Sequence, residues 1–149
     1  MPYKYSTASK VNLSGVTKRL REVYEIAIEV VDLTIVDGIR TMAEQLQNLR
    51  NGASQTLESR HLPQPPDNLS NAVDAVVFPV QWELLEAGFN AVKKVDPSLK
   101  VLEHFHAMGV VKGIAHMKGV PLRQGFDWNQ NGQFEDQTFE DMPHSEIPK

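Results

Sequence analysis

One short apolar run in this chain carries a carboxylate. Ala72-Val-Asp-Ala-Val-Val-Phe78 is rich in β-branched residues and reads as a buried strand. Asp74 sits inside it. Burying an unpaired carboxylate is costly, so Asp74 needs an ion-pair partner or a metal unless its side of the strand faces water. The chain has no cysteine. Disulfides and thiolate metal sites are therefore excluded, and any metal here is held by His, Asp, Glu or carbonyl oxygen.

The rest of the chain alternates helical and strand-like patterns. Residues 1–13 are polar and read as extended. Ser14 is placed as the N-cap of a first helix, in which Val16, Leu20, Val23, Ala27, Val30 and Val31 recur at helical spacing up to Asp32. Leu33-Thr-Ile-Val36 predicts a strand ending at Asp37-Gly38. A second helix runs from Thr41 to Arg50 and stops at Asn51-Gly52. Residues 53–71 contain Pro63, Pro65 and Pro66 and predict a loop. A third helix is expected over Gln81–Lys94. Asp96-Pro97-Ser98 breaks it and starts another that reaches about Met117. Leu122–Phe126 predicts a further strand and Asp127–Asp136 a polar loop, and the tail carries Asp141-Met-Pro-His-Ser-Glu146. With 149 residues and no linker or repeat, the pattern describes a single α+β domain over 1–149.

The net charge of −4 argues against a basic nucleic-acid-binding surface. No apolar run approaches the ~20 residues of a membrane span. The N-terminal residues lack the apolar core of a signal peptide.

Several side chains suit a metal-dependent reaction. His61 precedes the proline-rich loop and His144 lies near the C-terminus. With Asp74 they match a catalytic zinc set of three ligands and an open fourth position, although each histidine alone is as well explained as a solvated loop residue. Asp141, three residues before His144, suits a general base, or else a turn aspartate before Pro143. Arg40, just after a strand, suits an oxyanion stabiliser, or else a surface ion pair. His104 and His106 fall two apart in a predicted helix and do not share a face, so they are not read as a joint site. The same holds for His116.

Residues 127–136 match the front half of an EF-hand loop, D-x-[DN]-x-[DN]-G. Asp127, Asn129 and Asn131 would offer side-chain oxygens, Gln133 its carbonyl and Glu135 a carboxylate. The twelfth position is Thr138, where a bidentate glutamate is usual. A plain Asn/Gly-rich turn explains the segment equally well.

These pieces in order resemble the VanY-like D-alanyl-D-alanine carboxypeptidase metallopeptidase family, and within it the phage endolysins that are L-alanyl-D-glutamate endopeptidases. Leu33–Thr41 resembles the strand and Gly-x-Arg-[ST] segment, and Gln47–Ser54 the stretch after it. Ser59-Arg-His61 and Ala72-Val-Asp74 resemble the two ends of S-x-H-x-x-G-x-A-x-D. Gly125-Phe-Asp-Trp128 resembles G-x-D-W, and Asp141-Met-Pro-His144 matches D-x-x-H. In the family, the first His and Asp are seven residues apart. Here they are thirteen apart, so about six residues are inserted, and they are expected to loop out at the rim of the site.

The resemblance implies a small, mainly antiparallel sheet with helices packed around it and a zinc site in a cleft. It implies Zn2+ on His61, Asp74 and His144, with Asp141 as catalytic acid/base, and Ca2+ remains a candidate at 127–136. It also implies a monomeric endolysin without a separate wall-binding domain. Such an enzyme is made in the host cytoplasm and cleaves peptidoglycan in the periplasm after release. A D-Ala-D-Ala dipeptidase or carboxypeptidase with the same zinc chemistry is the rival enzyme. A non-enzymatic calcium-binding module is the rival outside that class.

Overall fold

A computed structural model describes residues 2–80, 82 and 99–149. The run around Asp74 is the central strand β2 (Ala72–Val77). It lies between β1 (Leu33–Asp37) and β4 (His144–Glu146), and β3 (Arg123–Gln124) pairs with the far side of β4. Every pairing is antiparallel. Ala72, Val73, Ala75 and Val76 are all fully buried, which is why this strand reads as continuously apolar rather than alternating.

Four helices among the described residues surround the sheet: α1 (Thr7–Ser14), α2 (Lys18–Ala27), α3 (Met42–Arg50) and α4 (Leu99–Met117). α2 buries Leu20, Val23, Tyr24 and Ala27 on one stripe, and full burial of a large apolar side chain contributes about 1.5–3 kcal/mol. α4 adds Ala107, Met108, Val111 and Ala115 to the same core. α3 begins with a capping box, in which Thr41 Oγ1 accepts from the Glu44 amide and Glu44 Oε2 accepts from the Thr41 amide.

The N-terminal residues are not extended. Ser6 caps α1 by accepting from the Ser9 amide, and Ser14 is the last residue of α1 rather than an N-cap. The next helix starts after Thr17 and ends at Ala27, short of Val31. α1 escaped the periodicity argument because it docks through polar groups. Ser9 Oγ accepts from the Ile35 amide, and Asn12 Nδ2 donates to the carbonyls of Ile35 and Val36. These bonds satisfy the free edge of β1. The approach is close: a Cβ on Gly38 would stand 2.1 Å from the Asn12 carbonyl oxygen.

The tail also forms an element, β4, and the expected strand over Leu122–Phe126 shortens to two residues. The predicted third helix over 81–94 and its break at 96–98 lie outside the described residues, Trp82 excepted.

Candidate metal centre

Strand register builds the site. Asp74 stands opposite His144 on β4 and opposite Asp37 on β1, where the ladder is irregular after Ile35. His61 comes from the loop before β2. Its Nε2 lies 3.0 Å from Asp74 Oδ1 and 3.2 Å from His144 Nδ1, and His144 Nδ1 lies 2.9 Å from the same carboxylate oxygen. Three potential ligand atoms thus converge within 4.8 Å of one another.

The outward nitrogens are also engaged. His61 Nδ1 lies 2.6 Å from the Gly38 carbonyl oxygen, so it carries the proton and donates. His144 Nε2 lies 2.9 Å from Glu146 Oε2 and donates likewise. These contacts assign the tautomers and leave the inner nitrogens free to act as ligands. Two imidazole lone pairs and a carboxylate oxygen so placed repel one another unless a cation, a proton or a metal ion, sits among them. Two nitrogens and one oxygen, with no sulfur, suit a borderline divalent ion such as zinc.

The electrostatics agree. Burial alone would raise the Asp74 carboxyl, but the two imidazoles override it and hold the group well below the usual range. For His144, burial opposes protonation, yet hydrogen bonds to Asp74 and Glu146 outweigh it and push its pKa up to about 10. Asp141 moves the other way: burial, then the nearby Asp74 charge, push it up to about 6.

Asp141 and Arg40 line the same cavity, about 720 Å³ in volume, as the three converging residues. Arg40 donates from Nε and Nη2 to Asp37 Oδ2 and from Nη1 to Gln45, and its Nη2 lies 3.7 Å from Asp74 Oδ2. The loop bearing Asp141 is held from two sides. The Asp141 amide donates to Gly125 O, and His104 Nε2 donates to Met142 O. His104 is thus a buried prop and not a ligand, in keeping with the helical spacing. A Cβ on Gly125 would stand 2.3 Å from Asp141 O and 3.0 Å from His144 Cβ, so only glycine lets the two segments pass.

The inserted residues fold away as a closed turn. Gln64 and Leu69 form a bridge, the Asn68 amide donates to Gln64 O, and the Asn71 amide donates to Arg60 O. The ends of the insertion are therefore pinned together, and His61 stays beside Asp74. Leu62, Pro63 and Gln64 line a neighbouring hollow with Thr41 and Met42 rather than the main cavity.

Residues 127–136 form a separate loop anchored by Phe134, whose ring packs against Phe105 and Phe126. The amides of Gly132, Asn131 and Gln133 donate to side-chain oxygens of Asp127, Asn129 and Asn131 respectively. Asn129 and Asn131 also donate to Asp136. Asp127 is buried and meets Lys112 Nζ at 3.4 Å. Glu135 is exposed in the same loop.

Sequence reasoning missed Glu146, and it placed Trp128 in a motif without giving it a role. Burial alone would raise the Glu146 carboxyl, but His144 and Arg123 hold it below its usual range. Its signal was position: two residues after His144, it shares a strand face with it. The Trp128 ring stands 5.4 Å from that of His144, and Arg123 Cζ lies over the Trp128 ring, 5.4 Å from its centroid.

Comparison with known proteins decides the kinship. The profile of the family described as phage L-alanyl-D-glutamate peptidase matches residues 1–147. The chain belongs to this family. A member from Escherichia phage T5, named L-alanyl-D-glutamate peptidase, is 34% identical over 145 residues, covering 92% of this chain and 90% of the relative. The crystal structure of the Serratia marcescens L-Ala D-Glu endopeptidase ChiX is similar with a TM-score of 0.67 at 28% identity, covering 97% of this chain and 90% of that one. Membership in the phage L-alanyl-D-glutamate peptidase family makes the chain a peptidase, and the converging His/Asp/His set is the part of it that could hold a metal.

Proposed function

We propose that this chain is a zinc peptidase that hydrolyses the L-alanyl–D-glutamate bond of peptidoglycan stem peptides during host lysis. The observation that carries this reading is the convergence of His61 Nε2, Asp74 Oδ1 and His144 Nδ1 in a cavity also lined by Asp141. The names of the phage T5 and Serratia relatives supply the scissile bond.

His61, Asp74 and His144 would hold the metal, and zinc, when bound, supplies Lewis acidity toward a water and a carbonyl. Asp141 accepts a proton from the attacking water at its carboxylate and returns it to the departing amine. Arg40, fixed by Asp37 and Gln45, faces the negative charge that develops on the carbonyl oxygen. Glu146 and Gly38 orient the two imidazoles. The chain acts as a monomer on wall reached from the host cytoplasm.

Calcium on Asp127, Asn129, Asn131, Gln133 and Glu135 belongs to the same proposal. In its support, loop amides already point at the side-chain oxygens of Asp127, Asn129 and Asn131. The loop leads into the segment bearing Asp141. Calcium titration of zinc-loaded protein should raise activity; no binding and no change in rate would remove calcium from the reading.

Metal content with product analysis tests the whole. One zinc per chain and stem peptides cut after L-Ala, with new D-Glu amino ends, are expected. Free D-Ala as product would instead indicate the dipeptidase or carboxypeptidase reaction.

A further inference from the structure

Four arginine and lysine side chains line the cavity: Arg40, Arg60, Arg123 and Lys149. Three are matched by carboxylates. Arg40 pairs with Asp37, Arg123 with Glu146 and Lys149 with Glu58. Arg60, next to His61 in the chain, has no carboxylate partner among the described residues. Its Nε donates to Ile147 O at 2.9 Å, and its Nη1 donates to Gln64 Oε1 at 2.6 Å. Both partners are neutral. They hold the guanidinium in place without cancelling its charge, and neither Nη2 proton has an acceptor among the described residues.

Gln64 comes from the inserted segment and is itself held, because its Nε2 donates to Leu62 O at 2.8 Å. The insertion therefore buttresses Arg60 from outside the cavity, since none of residues 62–71 lines its wall. A half-buried arginine fixed by neutral acceptors is arranged to bind an anion, and its planar fork matches a carboxylate.

Resting on the peptidase reading above, we propose that Arg60 recognises the free carboxylate of the D-glutamyl residue on the leaving side of the scissile bond. Glutamate has two carboxyl groups and only one can continue the peptide. The other remains as an anion within a few bonds of the amine being released. Arg60 is thus a specificity determinant, and Gln64 is its positioning residue.

The test uses two synthetic stem peptides that differ only at that group, one with the free carboxylate and one with it amidated. The full zinc-loaded chain should prefer the carboxylate peptide by about 10–100-fold in kcat/KM, the size of a lost charge-assisted hydrogen bond. Arg60→Gln should bring the ratio close to one, mainly through KM. Arg60→Lys should keep part of the preference, and Gln64→Ala should reduce it. A wild-type ratio near one, or an undiminished ratio in Arg60→Gln, overturns the assignment. If Arg60→Gln does not fold, an Arg60→Lys ratio equal to that of the wild type does the same. Cleavage of neither peptide by the wild type overturns the peptidase reading itself, and Arg60's role with it.

Discussion

Asp74 and His144, seventy residues apart in sequence, face each other across adjacent antiparallel strands, with Oδ1 and Nδ1 2.9 Å apart. The ladder hydrogen bonds of β2 and β4 thus set the distance between two metal-ligand candidates. Rigid strands locate such groups more tightly than loops do.

His144→Ala removes one of three ligand candidates while the strand backbone can remain. Zinc content should fall from one per chain to near zero, and lytic activity by about a thousandfold or more. Circular dichroism should show the fold retained. Full lysis by this variant would contradict the site.

Glu146→Gln keeps the shape but weakens the acceptor for His144 Nε2. Loss of such an outer partner typically costs about 10–100-fold in metal affinity. Competition with a chromophoric chelator should show that loss, and added zinc should restore much of the rate. Unchanged affinity would mean that Glu146 serves Arg123 alone.

Zinc binding should release protons. His144 is held protonated, with its pKa near 10 against an ordinary 6.5. A raised pKa stabilises the fold fully below the ordinary value, and that contribution disappears as pH rises through about 10. Near about pH 7.5 a metal ion must therefore displace close to one proton from His144. Calorimetry in two buffers of different ionisation enthalpy measures this. The chelator-stripped protein should also lose melting temperature between pH 6.5 and about 10.

Asp141→Asn should lower kcat by about 10²–10⁴-fold, the usual contribution of a general base, and leave zinc content intact. Loss of zinc in this variant would make Asp141 a ligand rather than a base. The Asp141 carboxyl, pushed up to about 6, is charged above that pH, so activity should fall on the acid side at or below about 6, where a bound cation moves the limb lower.

Gly125→Ala places a methyl 2.3 Å from Asp141 O. Overpacking of this kind costs about 1–3 kcal/mol. A lower melting temperature together with a lower kcat is expected, because the strain falls on the segment from Asp141 to His144.

Much of the sheet, and the His/Asp/His cluster that could hold a metal, was legible in the sequence. The apolar run 72–77 needs burial on both faces, and a carboxylate inside it needs compensation, so local chemistry alone singled out Asp74. Ordered motifs added His61, His144 and Asp141. α1 was not legible, because Ser9 and Asn12 serve the edge of β1 through hydrogen bonds and leave no apolar stripe. Glu146 was hidden too, since its role depends on the tail becoming a strand, and that strand exists only by pairing with β2 and β3.

The sequence by itself determined which groups could bind a metal, because ligand chemistry belongs to residue type. The absence of cysteine narrowed the choice to nitrogen and oxygen. Only the tertiary structure decided that the twelve residues between His61 and Asp74 include a pinned turn, and that Arg60, among the described residues, lacks the acidic partner that Arg40 and Arg123 have. Both are long-range outcomes: hydrogen-bond closure and charge pairing depend on which segments meet, and a linear pattern does not specify that.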